Sequence, residues 1–279
     1  MPSQGKKSGF TLLELSIVLV IIGLIVGGIL VGQDMIKAAE VRATISQIEK
    51  YNSAVNTFRS KFNAIPGDIP RANAANFGML QLTSASTIGQ GDGNGLIEGG
   101  AAGATLPEGE TLVFWRHLSD TNLVDGSLGV IGNSAVVAAT GVVTGNVTTV
   151  SQSIPPTRLN LTNYIVVYSA SGTNFYQLMP IATITTAPLY TFNTTGITPL
   201  QSYNMDTKLD DGLPNTGIVV ARDVGPTNDV NGIPSWAAVS TAATCMMNGA
   251  DATDPTDTYN LVLQTGGNDP SCSVRFRFN

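Results

Sequence analysis

One carboxylate constrains this chain more than any other residue: Glu14 stands inside an apolar run from Phe10 to Val31 that is otherwise interrupted only lightly, by Thr11 and Ser16. About 22 residues at ~1.5 Å each make a helix of roughly 33 Å, long enough to cross the hydrocarbon of a bilayer. A charged carboxylate in that span costs roughly 2.5–3.5 kcal/mol on insertion scales, so it needs a partner. Lys6 and Lys7 precede the run, and Asp34 and Lys37 follow it. Positive charge on the N-terminal side predicts a cytoplasmic N-terminus and an exported bulk. An ordinary secretory signal places a small-residue cleavage site after its apolar stretch. Gly32-Gln33-Asp34-Met35-Ile36 has no such pattern. A plain membrane anchor explains the length and the flanks but not Glu14.

The helical pattern does not stop at the end of the span. Ala38, Val41, Ile45, Ile48, Val55, Phe58 and Phe62 recur at three- and four-residue steps, which predicts an amphipathic helix over 34–63 with one buried stripe. It joins the span at 10–33 with no linker. Ile65-Pro66-Gly67-Asp68-Ile69-Pro70 ends it, because proline cannot continue a helix. Gly23, Gly27, Gly28 and Gly32 have two readings that stay open: a weak point in the helix, or a surface for close helix packing.

The string Lys6-Lys7-Ser8-Gly9-Phe10-Thr11-Leu12-Leu13-Glu14 closely resembles the type III signal of type IV pilins and type II secretion pseudopilins. The resemblance implies a leader at 1–9, cleavage between Gly9 and Phe10 by a prepilin peptidase, and N-methylation of Phe10. It also implies that Glu14, as the fifth mature residue, faces the terminal amine of a neighbouring subunit. An ammonium and a buried carboxylate are each costly alone and neutralise one another when paired. Only one axial stagger joins them, so the pair also sets register. Where many pilins carry a proline in the second half of this helix, the chain has Val31. The segments Phe62–Asp68, Thr111–Leu118 and Asp206–Pro214 look like pilin-like proteins of Gram-negative bacteria. Losing the leader removes Lys6 and Lys7, taking the formal charge from −6 to −8.

Beyond residue 63 a β-rich head is expected over 64–279, giving an α+β protein: a long N-terminal helix packed on an antiparallel sheet, pilin-like. Only 12% of residues are charged, and Gly, Thr, Asn, Ser and Ala are abundant, which suits turn-rich β structure outside a cell. Tyr164–Tyr168, Phe175–Leu178, Ile218–Arg222 and Ser273–Phe278 read as strands, as do Val136-Val137 and Val142-Val143. In the last strand Val274, Phe276 and Phe278 share one face. A short helix after Pro107 is expected to bury Trp115, Leu118 and Leu123. The stretch 134–156 reads as a surface insertion. Cys245 and Cys272 are the only two cysteines, and in an exported protein they read as a disulfide closing the region 245–272.

Candidate sites are few. His117 is the single histidine and no CxxC is present, so zinc is not expected. His117 and Arg116 read as a solvated helix face, since no nucleophile or metal partner lies at motif spacing. In the stretch Gly91–Glu98, Asp92, Asn94 and Glu98 alternate as calcium-loop ligands do. Yet Gln90 stands where the first acidic ligand belongs, and a tight Gly-rich turn accounts for the same residues. Asp206, Asp210 and Asp211 form a second acidic group, suited to calcium or to an Asp-capped turn. No other cofactor is expected, and no enzyme. Asn146, Asn160 and Asn193 open N-x-[ST] sequences, frequent by chance in a chain this rich in Asn and Thr. With an acidic balance and no basic stripe, nucleic acid is not expected as a stoichiometric partner.

The resemblance implies a filament subunit whose partners are itself, other pilins, the prepilin peptidase, an inner-membrane assembly platform and the membrane that stores it. The precursor would sit in a bacterial inner membrane with its head periplasmic, then move to an extracellular or periplasmic filament. A minor or tip subunit with adhesin-like binding, and a type II secretion pseudopilin, remain alternatives.

Overall fold

The structure is a computed structural model and describes residues 11–79, 91–99, 109–129, 149–184, 190–192, 196–223, 245–247, 255–262 and 272–278. Gly9, Phe10, the valine pairs at 136–143 and the sequences opened by Asn146 and Asn193 lie outside the described residues. In chain order the helices are α1 (Leu12–Phe62), α2 (Arg71–Asn76), α3 (Glu110–Asp120) and α4 (Pro199–Leu209). The strands are β1 (Tyr164–Ala170), β2 (Thr173–Met179), β3 (Ile181–Ile184), β4 (Tyr190–Phe192), β5 (Val219–Asp223) and β6 (Cys272–Phe278). The chain divides into two compact units, Met1–Glu40 and Val41–Asn279.

Among the described residues, the side chains of α1 in the first unit are largely exposed. Leu12 is 88% exposed, Leu24 75% and Ile36 60%. An 18-residue window of this helix has a mean hydropathy of 2.9 with none of it buried. A Cβ added at Gly23, Gly27, Gly28 or Gly32 would meet no atom within 4 Å. So long an apolar surface exceeds what a soluble monomer leaves in water.

Within the second unit, the rest of α1 buries one stripe: Val41, Ile45, Ile48, Val55, Phe58 and Phe62, with Tyr51 and Ala54 beside it. Asn63 ends the helix in the left-handed region at φ 52, and its N–H donates to the Arg59 carbonyl at 2.8 Å. Aromatic rings carry the packing from this stripe to the sheet. Tyr51 meets Trp115 edge-on at 4.8 Å, Phe114 meets Trp115 at 5.0 Å, and Tyr176 stacks on Phe278 at 4.2 Å. Each such side chain fully buried contributes roughly 1.5–3 kcal/mol. Gln47 adds a polar tie, donating to the Pro156 carbonyl at 2.9 Å and accepting from Arg158 N–H at 3.1 Å.

The main sheet has the order β1-β2-β6-β5, all neighbours antiparallel. β1 and β2 form a two-residue hairpin in which Ser171 and Gly172 both take positive φ, 50 and 74, as a type I′ turn requires. The C-terminal strand β6 is interior, paired on both sides, and Val274, Phe276 and Phe278 are buried on one face. The sheet edge formed by β1 is blunted: Ser169 N–H donates to the Ile97 carbonyl and Ile165 N–H to the Pro155 carbonyl. Loops thereby occupy groups that an open edge would offer another chain.

Two sequence expectations change here. Helix α4 was not anticipated, although Thr198-Pro199-Leu200-Gln201 carries its signal: the Thr198 hydroxyl accepts from Gln201 N–H, and the Gln201 side chain accepts from Thr198 N–H. The described end of the supposed surface insertion is core, since Val150 and Ile154 are each 1% exposed.

Cys245 and Cys272 are joined, and both are fully buried. The bond ties residues 245–247 to β6, beside the Asn260 N–H to Cys245 carbonyl hydrogen bond at 2.8 Å. Replacing both cysteines by serine is expected to lower stability by about 3.5 kcal/mol on the loop-entropy estimate for a crosslink of this span. Chemical denaturation of the full chain in detergent, wild type against the double variant, measures it.

Candidate functional site

The first site is the start of α1. Thr11 N–H donates to the Glu14 carboxylate at 2.8 Å and the Thr11 hydroxyl at 2.9 Å, while Glu14 N–H donates to the Thr11 hydroxyl at 3.3 Å. This is a reciprocal capping box: residue and partner three positions apart satisfy N–H groups that the first turn leaves open. Glu14 thus has a partner within its own chain, and its carboxylate lies against the helix N-terminus, where positive charge is stabilised least and negative charge most.

The second site lies where the chain leaves α1. Asp68 is 1% exposed; one carboxyl oxygen accepts from Gly93 N–H and the other from Gly95 N–H, both at 2.7 Å. Glu110, at the first turn of α3, is fully buried and accepts from Gly91 N–H at 2.7 Å and Glu98 N–H at 2.8 Å. Asn174 of β2 completes the clasp, accepting from Ile97 N–H at 2.9 Å and donating to the Gly95 carbonyl at 2.9 Å. Three side chains distant in sequence therefore hold one loop, 91–98, by its backbone. Glycine is required at two of these places. A Cβ on Gly67 (φ +90) would stand 2.7 Å from the Glu110 carbonyl oxygen, and one on Gly91 2.3 Å from that of Ile69.

The carboxylates that converge here are Asp68, Asp92 and Glu110, with an oxygen of each within 4.8 Å of the others. This is not the set that the spacing picks out. Glu98 is turned away, accepting the Asn94 amide at 3.1 Å. Asn94 braces the turn, donating also to Asp92 and accepting from Leu96 N–H at 2.7 Å. Asp68 and Glu110 were missed as members because they lie 24 residues before and 18 after Asp92 in the chain, where no local motif connects them. Their best signal is Asp68 in a Pro-Gly-Asp exit, a polar residue between two helix breakers.

The third site is the turn after α4. Asp206 is fully buried and accepts from the Tyr259 hydroxyl at 2.7 Å and Gly212 N–H at 3.0 Å. Asp210 accepts from Ile218 and Val219 N–H, and Asp211 from Leu213 N–H and the Thr216 hydroxyl. Here the sequence grouping holds together, with oxygens of all three carboxylates within 4.8 Å of one another. In each case the carboxylates stitch the backbone of a loop. Among the described residues, those with the chemistry to hold a divalent cation are Asp68, Asp92 and Glu110 in one place and Asp206, Asp210 and Asp211 in the other.

His117 is not on a solvated face. It is 2% exposed, its ring stacks on Phe58 at 6.2 Å, and its Nδ1 accepts from Gly67 N–H at 3.0 Å. Arg116 does face outward, in an ion pair with Asp120 at 2.7 Å. Trp115 and Leu118 are fully buried, whereas Leu123 packs at the core's edge beyond α3.

Comparison with known proteins bears on the first site. Residues 5–30 match the prokaryotic N-terminal methylation motif. The match covers residues 5–9 of the expected leader, the Gly9-Phe10 bond, Glu14 and most of the apolar span, and leaves the head untouched. No curated protein and no solved structure matches the chain. The motif, the long apolar helix and the small antiparallel sheet make an α+β, pilin-like architecture. Such a motif implies processing by a prepilin peptidase and assembly with other pilins. The signal and helix fit an inner-membrane precursor that moves on to a filament.

The buried carboxyls give the head a pH dependence. Loss of hydration, opposed by its backbone hydrogen bonds and reinforced by Asp68, raises Glu110 from 4.5 to about 8. Burial likewise lifts Asp68 and Asp206 from 3.8 to about 6. The unfolded chain releases these protons near pH 4, the folded head only near pH 6 to 8. Between those limits the folded state holds more protons, so rising pH favours unfolding. Their contribution is complete below about pH 4 and is lost by about pH 8. The melting temperature of the full chain in detergent should therefore fall from pH 5 to pH 8.5. Glu110→Gln should flatten that slope while costing about 1–3 kcal/mol at pH 5, because its amide would face a backbone N–H. An unchanged slope would remove Glu110 as the group responsible.

Proposed function

We propose that this protein is a structural subunit of a type IV pilus or related filament, cleaved between Gly9 and Phe10, methylated at Phe10 and polymerised through its N-terminal helix. The observation that carries the reading is a methylation motif running without a break into an apolar helix whose side chains stand exposed among the described residues. Lipid covers such a helix before assembly, and the same helices of neighbouring subunits cover it afterwards. The head, built from the second half of α1, the aromatic core and the four-stranded sheet, then forms the filament's outer surface. No catalytic role is assigned to it, since the buried carboxyls and His117 are used to hold backbone.

Glu14 has two separable tasks in this proposal. As a capping residue it begins the helix. As a charge it meets the methylated amine of the next Phe10 and fixes the axial register. Glutamine serves in a capping box as well as glutamate does but carries no charge. Glu14→Gln should be processed normally, keep its helicity in detergent and yet fail to enter filaments; Glu14→Ala should fail likewise. Sheared surface fibres, imaged by electron microscopy and with subunits identified by mass spectrometry, give the readout. Fibres of normal abundance from the Gln variant would leave capping as the whole role of Glu14. Gly9→Val should leave an uncleaved precursor, visible as a gel shift, with Gly9→Ala milder. Full processing of Gly9→Val would sink the assigned cleavage site.

A further inference from the structure

The Asn160-Leu161-Thr162 sequence occupies a built turn rather than an arbitrary stretch of surface. Leu159 and Asn163 are buried at 5% and 0% exposure, and between them Asn160, Leu161 and Thr162 stand out into solvent, Leu161 at 78%. The turn is pinned from below. Thr157 N–H donates to the Asn163 carbonyl at 2.8 Å, and the Thr157 hydroxyl donates to the Asn160 carbonyl at 3.1 Å. Arg158 N–H is held by Gln47 of α1.

Four donors converge on one atom at the tip, the side-chain oxygen of Asn160. They are Thr162 N–H at 3.1 Å, the Thr162 hydroxyl at 3.1 Å, Asn163 N–H at 2.9 Å and the Asn163 amide at 2.8 Å. One acceptor with four donors is more than a turn needs for its closure. Donors preorganised around an oxygen stabilise negative charge that develops there. For a carboxamide, charge on oxygen is carried by the imidate form, reached when the nitrogen loses a proton, so such donors acidify the N–H, and the in-plane electron pair left on nitrogen lies outside the conjugated system. The Asn160 nitrogen Nδ2 donates no hydrogen bond among the described residues, and its residue is exposed.

We propose that Asn160 is an N-glycosylation site, its Nδ2 accepting a sugar from a phosphate-activated glycosyl donor. In the transfer, Nδ2 loses one proton to a base of the transferase and its electron pair forms the bond to the anomeric carbon. The bond from that carbon to the donor's phosphate oxygen breaks, and the phosphate leaves with that electron pair. Thr162 is required because its hydroxyl and N–H supply half of the donors on the amide oxygen. A serine keeps both contacts, and an alanine keeps only the N–H. The inference stands on the turn alone and does not depend on filament assembly.

The test is mass spectrometry of the full chain isolated from the cells that make it. Trypsin cuts after Arg158 and Lys208, so one peptide holds both Asn160 and Asn193, and electron-transfer fragmentation separates the two. A glycan mass on Asn160 is expected. A single hexose would identify a nucleotide-sugar donor, and a longer chain a lipid-linked oligosaccharide. Thr162→Ser should keep the modification at half of the wild-type occupancy or more, whereas Thr162→Ala and Asn160→Gln should abolish it. The Ser variant also guards against misfolding as the cause of loss. An unmodified Asn160 in the native chain, or sugar on Asn193 alone, would overturn the proposal. Equal occupancy in Thr162→Ala would overturn the role given to the hydroxyl.

Discussion

Unsatisfied apolar surface on the first half of α1 is the constraint from which the rest follows. From Leu12 to Ile36 the large apolar side chains stand exposed among the described residues. At ~25 cal/mol for each Å² of apolar area, a helix of this length left in water carries a penalty of many kcal/mol. Lipid and identical helices are both adequate covers, because neither offers water to the side chains. Tails as apolar as leucine leave little hydrophobic preference between the two. Transfer from bilayer to filament can therefore be nearly neutral for the apolar stripe, which leaves small polar terms to decide it. A carboxylate near the start of the helix is such a term.

The head answers a different problem, that of holding long loops on a small sheet. Among the described residues, loops are fixed by acids that accept backbone N–H groups: the buried Asp68 and Glu110 on 91–98, and the buried Asp206 with half-buried Asp210 and exposed Asp211 on 212–219. Carboxylates suit this task, since each presents two oxygens and several lone pairs. The cost is burial of ionisable groups, and the upward displacement of Glu110 and Asp68 expresses that cost. The disulfide acts in the same part of the chain as the second group, joining residues 245–247 to β6 while Tyr259 reaches Asp206.

What the sequence made legible divides along physical lines. Features written in local periodicity or in the chemistry of a short string were readable: the apolar span, the stripe from Val41 to Phe62, the alternating β6, the paired cysteines. Features that need two distant segments to meet were not. Nothing near Asp92 announces Asp68 or Glu110, and the calcium-like spacing pointed instead to Glu98, which faces elsewhere. His117 reads as solvated when no nucleophile or metal partner lies at motif spacing, whereas the turn of α3 carries it inward against Phe58. Helix α4 has a local signal as well, since Thr198, Pro199 and Gln201 form its start, three residues in a stretch otherwise marked only by the acids at its end. The fold class survived these errors because it rests on the periodic elements alone.

Glu14 joins the start of the helix to the apolar span that follows it. A capping box accounts for a carboxylate three residues after Thr11 without any neighbour, so its presence in the span is weaker support for intersubunit pairing than hydrophobicity alone suggests. The two roles are nonetheless compatible, because both demand the carboxylate at the same end of the helix. Capping turns Glu14 back toward its own N-terminus, where cleavage would create an ammonium. An uncapped glutamate in lipid would snorkel or protonate, whereas one already accepting two hydrogen bonds from Thr11 keeps its acceptor geometry while stored. In the proposed filament an incoming amine would meet the second carboxylate oxygen without displacing either contact, since both Thr11 contacts fall on one oxygen. On that proposal Thr11 holds the carboxylate at the helix start, where a neighbour's amine would neutralise it.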